Sequence, residues 1–496
     1  MPRKFYITTA IDYPNGSPHM GHAYEKLISD CYARWYRFRG DQVHFLTGTD
    51  ENGQKLVRAA EEAGEPTKDF VDLQVDKFRK LCADLGLSHS DFIRTTEARH
   101  KEAAQELWER LQKKSKIYFG QYEGQYCLSC EAFYTELQAA DGKCPAHGSP
   151  LERVKEDGYF FKLSEYAEWI EAHIRDNENF VWPKAAHSEI LNRIRSEKIR
   201  DLSVSRPNHS WGIPVPGDEK HVMYTWFDAL INYWSAVRNS EEKWWPASVH
   251  VIGKDIVWFH AVIWPCLLKA ADLELPEQVF VHGMVLGQDG RKMSKTLGNG
   301  VDPYQIIGQF PLDSFRYYLL RAIPSGGDGA FVIKDLVMRH NTELANDFGN
   351  LLSRVVKLAL KKGGETWESR REDRSFDFPK LFEKLEGSMT RREHHRALES
   401  LWLQINQLNL YLNDQAPWKM EAGSEALKSC LSNALFGIFG TAVLAQAFLP
   451  EVSRKILQTL GQPEVLGPEV LAADSVSFRL QSPEPLFPKI EWKEES

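Results

Sequence analysis

The sequence is poor in cysteine and lacks a long hydrophobic run. Seven cysteines among 496 residues argue against a disulfide framework and indicate a reducing compartment, for which we expect the cytoplasm. No apolar stretch reaches the length that spans a bilayer, and the first residues do not have the pattern of a signal peptide. We therefore expect a protein that binds no membrane.

Positive charge is also scarce, since the formal net charge is -8. A nucleic-acid partner would thus need a local basic face. The sequence has no internal repeat and no low-complexity tract. With 43% hydrophobic and 26% charged residues, the chain can form a large core and roughly two to four domains.

The first forty residues predict a phosphate-binding strand, turn and helix. β-Branched and aromatic residues over 5–10 indicate a buried strand, and turn-forming residues fill 12–18. The helical pattern that follows places His19 and His22 on one side of its first turn. The amide groups of a helix N-terminus bind anions, imidazoles add donors, and Gly21 leaves room for a flat ring.

Further strand ends are predicted at the same edge of a parallel sheet. Asp50 follows a predicted strand over 43–47, so its side chain should face the same cleft as the histidines. A second strand-to-helix switch over 249–260 would supply the other wall of a nucleotide cleft. Ordinary core packing is the alternative for the aromatic residues there. The candidates for an apolar pocket with one polar group are Trp226, Tyr233, Ile256 and His260.

Residues 118–150 predict a metal-binding insertion. A Cys-x2-Cys pair and a Cys-x2-His pair are separated by thirteen residues, which is typical of a structural zinc site closed by four ligands. The alternative is four unrelated side chains in a surface loop. The predicted ligands are Cys127, Cys130, Cys144 and His147.

A basic loop over 291–299 follows a predicted strand over 279–283 and a tight turn. Its cations, Arg291, Lys292 and Lys295, lie among small residues and suit a mobile clamp on a triphosphate. A solvated surface loop is the alternative. The phosphate-binding interpretation depends on the histidine pair.

From about residue 335 to 460 the pattern is helical, interrupted by an expected charged linker over 363–379. One helix face carries polar residues, which a solvated surface would also explain. Trp418 follows a predicted bundle helix over 392–416, and it should be exposed, where it could stack on a base or pack on the bundle. The polar residues are Asn346, Asn350, Arg354 and Lys357.

Two motifs make the sequence similar to a known family. Residues 19–22, His-Met-Gly-His, resemble the HIGH motif of class I aminoacyl-tRNA synthetases, and residues 292–296, Lys-Met-Ser-Lys-Thr, resemble their KMSKS loop. The final Thr replaces Ser and keeps the hydroxyl. Residues 13–16, 226–229 and 254–256 with His260 resemble methionyl-tRNA synthetases, and the likeness covers essentially the whole chain.

The resemblance implies a two-step reaction. ATP and L-methionine would give methionyl-adenylate and pyrophosphate, and methionine would then pass to the 3′ end of tRNA(Met), including the initiator. The residues implied in ATP binding are His19, Gly21, His22, Asp255, Lys292 and Lys295, with the histidines and lysines as the catalytic ones. The residues implied in methionine binding are Ala10, Ile11, Tyr13, Asp50, Trp226, Tyr233, Ile256 and His260.

The resemblance also implies partners and metals. The anticodon would be read by Asn346, Asn350, Arg354 and Trp418. The cysteine and histidine ligands match family members with one structural zinc, and Mg²⁺ would accompany ATP, although no carboxylate cluster identifies its ligands. The appended dimerising module of the family is not found, so we expect a monomer.

Together these inferences predict an α/β fold, in which a Rossmann-like parallel sheet is split by a zinc-containing insertion and followed by an all-α helical-bundle anticodon-binding domain. The expected segments are 1–116 and 223–275 for the two halves of the Rossmann catalytic domain, 117–222 for the insertion, 276–334 for the KMSKS-loop and stem-contact region, 335–480 for the helical bundle and 481–496 for a C-terminal tail.

Two other functions remain open from the sequence. One is a class I synthetase for leucine, isoleucine, valine or cysteine. The branched-chain enzymes carry a hydrolytic-domain-sized insertion that is missing here, and the cysteine enzymes use a catalytic zinc, unlike the closed site predicted here. The other is a zinc-bearing RNA-binding protein without chemistry, against which the intact histidine motif and lysine loop argue. Amino-acid-dependent pyrophosphate exchange would separate the three.

Overall fold

The computed structural model of the protein describes residues 3–127, 132–134, 141–144, 148–207, 211–293 and 298–492. The chain forms two compact units, each made of segments that are distant in sequence. The sheet unit comprises residues 4–18 and 44–282, and the helical unit comprises residues 1–3, 19–43 and 283–496.

A six-stranded sheet forms the centre of the sheet unit. Its registered pairs are parallel, and Thr8 of the first strand lies opposite His250. Strands of such sheets are buried on both faces, which explains the continuous apolar run Phe5–Ile7. The predicted parallel α/β architecture is thus confirmed. In spatial order the strands are Asp91–Arg94, Gln42–Thr49, Lys4–Thr9, Val249–Gly253, Val279–His282 and Val181–Trp182.

The sheet unit also contains helices whose apolar faces are buried. Examples of fully buried residues on these helices are Trp108, Phe227 and Trp264. The α-helices of the sheet unit are Gln54–Ala63, Thr67–Asp84, Ala98–Lys113, Ala167–Asp176, Lys184–Ser196, Thr225–Ser235 and Trp264–Ala270. Short 3-10 turns span Leu163–Tyr166 and Lys254–Ile256, and a π-helical turn spans Phe259–Ile263.

Two small antiparallel sheets lie within the segment expected to be the insertion. The larger is built on the pair Ile117–Cys127 and Glu152–Phe161, which places Cys127 at the end of its strand. Its outer strands are Ala132–Tyr134 and Leu202–Ser203, and the smaller sheet contains Pro214–Val215, Asp218–Met223 and Ser205–Pro207. The same segment also supplies Val181–Trp182, which pairs with the central parallel sheet.

The helical unit contains the histidine helix and a bundle. The bundle helix His394–Gln415 buries a stripe of leucine and isoleucine side chains, namely Leu398, Leu401, Ile405, Leu408 and Leu412. A fully buried ion pair, 2.8 Å long between Asp30 and Arg316, joins two helices of this unit. Its α-helices are Met20–Phe38, Pro303–Gln309, Leu312–Ala322, Ile333–Arg339, Asn350–Gly363, Phe378–Thr390, His394–Gln415, Glu425–Ala445 and Pro450–Thr459.

Shorter elements complete the helical unit. The 3-10 turns are Arg371–Asp373, Pro417–Lys419 and Pro468–Ala472, and His340–Gly349 is π-helical. Val285–Leu286 pairs in parallel with Gly329–Ala330.

The charged segment over 363–379 is not simply a linker, and that prediction was wrong in part. Its residues Thr366–Arg370 form a strand that pairs antiparallel with Ser475–Arg479. Trp367 and Ser369 are buried while their neighbours are exposed. The alternation of buried and exposed residues that is typical of a strand is therefore present, but it extends over only five residues. The partner strand lies about a hundred residues later, beyond the reach of local pattern analysis.

The expectation that no apolar run reaches membrane-spanning length was also wrong. Among the described residues, Glu425–Ala445 is long and apolar enough to cross a membrane. However, 83% of its apolar window is buried inside the molecule. A helix that is apolar on all sides is expected at the centre of a bundle.

Candidate active site

The histidine helix, Met20–Phe38, begins directly after His19. The His19 amide donates to Nδ1 of His22 at 3.1 Å, and the two rings stack with centroids 3.6 Å apart. Burial, followed by the nearby His19 and Lys26, lowers the pKa of His22 well below its ordinary value. His22 is therefore neutral at neutral pH. Since Nδ1 accepts a hydrogen bond, the proton lies on Nε2, which can donate to an anion.

Gly21 allows this arrangement of the histidines. A Cβ atom at residue 21 would lie 3.0 Å from Cε1 of His19, closer than side chains normally approach. The glycine therefore lets the imidazole of His19 lie against the first turn of the helix. The predicted role of Gly21 beneath a nucleotide base stays a prediction.

The strand end that carries Asp50 is fixed by backbone bonds. The Asp12 amide donates to the Gly48 carbonyl at 2.9 Å, and the Asp50 amide donates to the Asp12 carbonyl at 2.8 Å. The chain that leaves the first strand thus runs beside the end of the second strand. Asp50 is buried there, which agrees with its predicted place at a carboxyl end of the sheet.

Glu51 forms a buried network that the sequence did not reveal. Its carboxylate accepts two bonds from Arg94, of 2.7 and 2.9 Å, and one each from Thr49 and Thr96, both 2.6 Å. The Trp211 indole donates to the Glu51 carbonyl at 2.7 Å. Because Glu51 adjoins Asp50, the network holds the strand end in place.

Asn52 extends this network, since its amide donates to Asp228 at 3.0 Å. A cavity of about 390 Å³ adjoins Arg94 and Trp211. Its other lining residues are Lys68, Val71, Asp72, Arg79, Thr96, Glu97 and Lys101. Among the described residues, those predicted for ATP or methionine do not line it.

Tyr233 and His260 form a bonded pair in the apolar core of the sheet unit. His260 Nδ1 lies 3.0 Å from the Ile256 carbonyl, and its Nε2 lies 2.7 Å from the Tyr233 hydroxyl. A carbonyl only accepts, so Nδ1 carries the proton and Nε2 accepts from Tyr233. Burial lowers the pKa of His260 to about 4. The pair is therefore neutral at neutral pH.

Other predicted pocket residues pack against the same apolar cluster. Ala10, Ile11, Trp226 and Ile256 are partly buried against the cluster that contains Tyr233. The Trp226 ring stacks on Phe259 with centroids 3.8 Å apart. The structure thus brings these predicted pocket residues to one apolar region.

His250 contacts this region through Tyr233, and the sequence did not identify it. Its Nδ1 is 2.8 Å from the Thr8 hydroxyl, and its ring is 4.1 Å from that of Tyr233. Burial lowers the pKa of His250 well below its ordinary value. A polar residue inside a strand, at His250, was the only sequence signal for it.

Tyr13 packs elsewhere. Its ring contacts a second apolar cluster, together with Trp211, and Lys55 lies 5.5 Å from the ring centroid. The other cluster members are Leu56, Ala60, Phe70, Val71 and Val75. A place for Tyr13 in the methionine pocket stays a prediction.

The basic loop begins with an ordered turn. Leu286 and Lys292 form an antiparallel bridge, and the Gly287 amide donates to the Arg291 carbonyl at 2.8 Å. The Arg291 backbone and guanidinium bonds hold the pKa of Asp289 below its usual range. Lys292 is exposed and belongs to the same unit as His19 and His22, whereas Lys295 lies outside the described residues.

Comparison with known proteins identifies the family. Residues 5–154 and 147–356 match the family model described as "tRNA synthetases class I (M)". The chain is 40% identical to the methionine–tRNA ligase of Clostridium tetani over 99% of this chain and 79% of that protein. The chain belongs to the class I tRNA synthetases of the methionine type.

Other relatives agree with this assignment. The Bacillus subtilis methionine–tRNA ligase is 40% identical over 99% of this chain and 78% of its own length. The solved structure of Mycobacterium tuberculosis methionyl-tRNA synthetase in complex with methionyl-adenylate has a TM-score of 0.93 and 37% identity, covering 98% of this chain and all of that chain. The predictions of the family, of its ligase activity and of the class I fold are confirmed.

Two of the predicted zinc ligands of the synthetase lie around Ser149. Cys127 Sγ is 3.8 Å from the Ser149 hydroxyl, and the Cys144 amide donates to the Ser149 carbonyl at 2.8 Å. Both cysteines are buried. Thiolate sulfur is a ligand that zinc accepts, and the other two predicted ligands, Cys130 and His147, lie outside the described residues.

The predicted anticodon residues of the synthetase form two contacts in the helical unit. Asn350 donates to Asn346 at 3.4 Å, although the chain up to Gly349 is π-helical and not α-helical as predicted. The Arg354 guanidinium lies 5.5 Å from the ring centroid of Trp418. Trp418 is 45% exposed, so its ring is accessible to a base.

Proposed function

We propose how the residues of this methionine–tRNA ligase carry out the two steps of its reaction. The observation that carries the proposal is the neutral Tyr233–His260 pair, buried in the apolar region where Trp226 and Ile256 also pack. The solved relative bound to methionyl-adenylate supports an activation step of this kind.

The apolar region suits the thioether of methionine. Because the Tyr233 hydroxyl proton is bonded to His260, the pair offers a largely apolar surface to a side chain whose sulfur is a weak acceptor. Ala10, Ile11 and Tyr13 would complete the enclosure. Asp50 would bind the α-ammonium group together with the backbone at Ile11, and the Glu51 network would keep that carboxylate in position.

Phosphate binding is assigned to the histidine helix and the basic loop. His19, His22, Lys292 and Lys295 would hold the phosphates of ATP, Gly21 would lie under adenine, and Asp255 would bind ribose. His22 fits this role because its Nε2–H is a donor on a neutral ring at a helix N-terminus. Mg²⁺ supplies positive charge to the phosphates when it is bound with ATP.

The chemistry follows from positioning and charge stabilisation. In the first step a methionine carboxylate oxygen attacks the α-phosphorus of ATP in line, and the bond to pyrophosphate breaks. The carboxylate is already a nucleophile, so no general base is required. In the second step the terminal ribose hydroxyl of tRNA(Met), including the initiator, attacks the methionyl carbonyl carbon and AMP leaves.

The helical bundle would bind the anticodon through Asn346, Asn350, Arg354 and Trp418. Their contacts support this assignment, since an exposed indole beside a guanidinium can stack on a base. One structural zinc would be held by Cys127, Cys130, Cys144 and His147. We further propose the domain boundaries stated above, a monomer, and a cytoplasmic location without membrane binding.

Replacing Asp50 tests the methionine site. Asp50→Asn removes the charge that would face the α-ammonium group, and we expect the KM for methionine in pyrophosphate exchange to rise by at least about tenfold. The KM for ATP should change little. The exposed Asp69→Asn variant is the matched control and should behave as the unmodified enzyme. An unchanged methionine KM in Asp50→Asn would contradict the assignment.

A further inference from the structure

Lys362 makes contacts that the proposed function does not use. It lies in the last turn of the helix Asn350–Gly363. Its ammonium group donates to the carbonyls of Pro417 at 3.3 Å, Trp418 at 3.2 Å and, by a shorter contact, Met420. One side chain thus binds three backbone oxygens around Trp418.

The segment that carries Trp418 needs such a partner. Ala416, after the helix His394–Gln415, has a left-handed φ of 47°, and only the 3-10 turn Pro417–Lys419 follows. The Pro417 carbonyl also accepts from the Met420 amide at 3.3 Å, and the last carbonyls of a helical turn form the negative end of its dipole. An ammonium group among these oxygens neutralises that end and holds the turn.

The position of Lys362 is itself fixed. A Cβ atom on Gly363 would lie 2.4 Å from the Trp367 ring, so the helix end packs directly on that indole. The Trp367 Nε1 donates to the Gly364 carbonyl at 2.9 Å. Trp367 is buried within the strand pair described above, which anchors the base of the lysine side chain.

The same helix also holds the Trp418 ring. Arg354 precedes Lys362 by eight residues, so both side chains lie on one face of the helix. The Arg354 guanidinium lies over the indole and donates to Asn413 at 3.2 Å. Arg354 therefore contacts the ring while Lys362 binds the backbone of the same residue.

We propose that Lys362 is a positioning residue for tRNA recognition. It holds the indole ring of Trp418 as a preformed plate, that is, a flat surface already in place for an unpaired base to stack on. This inference rests on the proposed anticodon function of Trp418. Ordering the plate before tRNA binds removes an entropic cost from association. Lys362 would thus act through Trp418, without contacting a phosphate.

The test compares Lys362→Met with Lys361→Met, which removes the same charge from an exposed neighbour. For Lys362→Met we expect the KM for tRNA to rise about tenfold, at the lower end of a stacking contribution, with kcat and methionine-dependent pyrophosphate exchange unchanged. Lys361→Met should stay within about twofold, as expected for an exposed charge. Lys362→Arg, which keeps the charge and the donors, should restore most of the loss.

A double-mutant cycle with Trp418→Ala separates the possible outcomes. We expect Trp418→Ala alone to weaken tRNA charging, and Lys362→Met to add little in that background, because both changes remove one plate. Additive losses, or a salt slope of tRNA binding that falls by about one in Lys362→Met, would show a direct phosphate contact and overturn the proposal.

The remaining outcomes distinguish this inference from the function on which it rests. If Trp418→Ala weakens tRNA charging and Lys362→Met does not, the positioning role alone is refuted. If Trp418→Ala leaves tRNA charging unchanged, the proposed stacking of Trp418 on an anticodon base is refuted, and the positioning role of Lys362 is refuted with it. Equal losses of exchange and charging in Lys362→Met would indicate a general folding defect and would also count against the proposal.

Discussion

Burial controls the charge of His260 in the apolar region of the sheet unit. Its surroundings lower the pKa of the imidazole to about 4, against an ordinary value of 6.5, and the bond to Ile256 and the charge of Asp255 only partly offset burial. The imidazole of His260 is therefore uncharged in the folded protein at neutral pH. A neutral ring that accepts from Tyr233 keeps the region apolar.

This shift predicts a pH dependence of stability. The unfolded chain binds a proton at His260 below about pH 6.5, whereas the folded chain does so only near pH 4. The stability contribution is thus complete above pH 6.5 and is lost as the pH falls towards 4, by up to about 3 kcal/mol. Urea unfolding at several pH values should show a shallower acid loss in His260→Asn, and an identical slope would contradict the argument.

Lys295 provides a second prediction for a single residue. If the basic loop contacts the phosphates mainly in the transition state, Lys295→Ala should lower kcat of pyrophosphate exchange by about 10²-fold or more, with a small change in the KM for ATP. The exposed Lys334→Ala variant should leave exchange unaffected. Near-normal exchange in Lys295→Ala would contradict the assignment.

Single elements show which features local sequence could predict. The strand, turn and helix around His19, and the strand end at Asp50, were predicted because apolar periodicity and turn residues are local signals. Glu51 was not identified, because its partner Arg94 is 43 residues away and a charged residue after a strand has several explanations. The π-helical turn over 340–349 was also missed, since it has no periodic signature distinct from an α-helix.

The Glu51 network predicts a stability effect for Arg94. Arg94→Met would leave the fully buried Glu51 carboxylate without its two guanidinium bonds. Breaking a buried pair in this way typically costs about 3–5 kcal/mol, and urea unfolding measures it. Arg79→Met, which removes an exposed cation over Phe92, should cost less than about 1 kcal/mol. Equal costs for the two variants would argue against the network.

The antiparallel sheet of residues 117–161 gives a prediction on metal content. If Cys127 and Cys144 bind zinc, the purified protein should contain about one zinc per chain by mass spectrometry. Cys127→Ser and Cys144→Ser should lose most of it, while Cys82→Ala, at a buried cysteine outside this sheet, should retain it. Retention of zinc by both serine variants would exclude these ligands.

At the scale of the whole molecule, the chain does not divide in sequence order. The sequence predicted a Rossmann domain in two halves, 1–116 and 223–275, with the histidine helix in the first half, whereas in the structure this helix clusters with residues 283–496. Contacts between residues distant in sequence cause this, such as the partly buried bond of 2.8 Å from Trp35 to Glu386 and the fully buried ion pair of Asp30 with Arg316. Composition and periodicity cannot predict such pairings, because both depend only on residues that are close in the sequence.

The central claim is that the whole synthetase activates methionine, and amino-acid-dependent exchange of labelled pyrophosphate into ATP tests it most directly. Assayed with each of the twenty amino acids, the enzyme should exchange label with L-methionine, and at least about tenfold more slowly with leucine, isoleucine or valine. Faster exchange with any of these or with cysteine, or no exchange with any amino acid, would contradict the account.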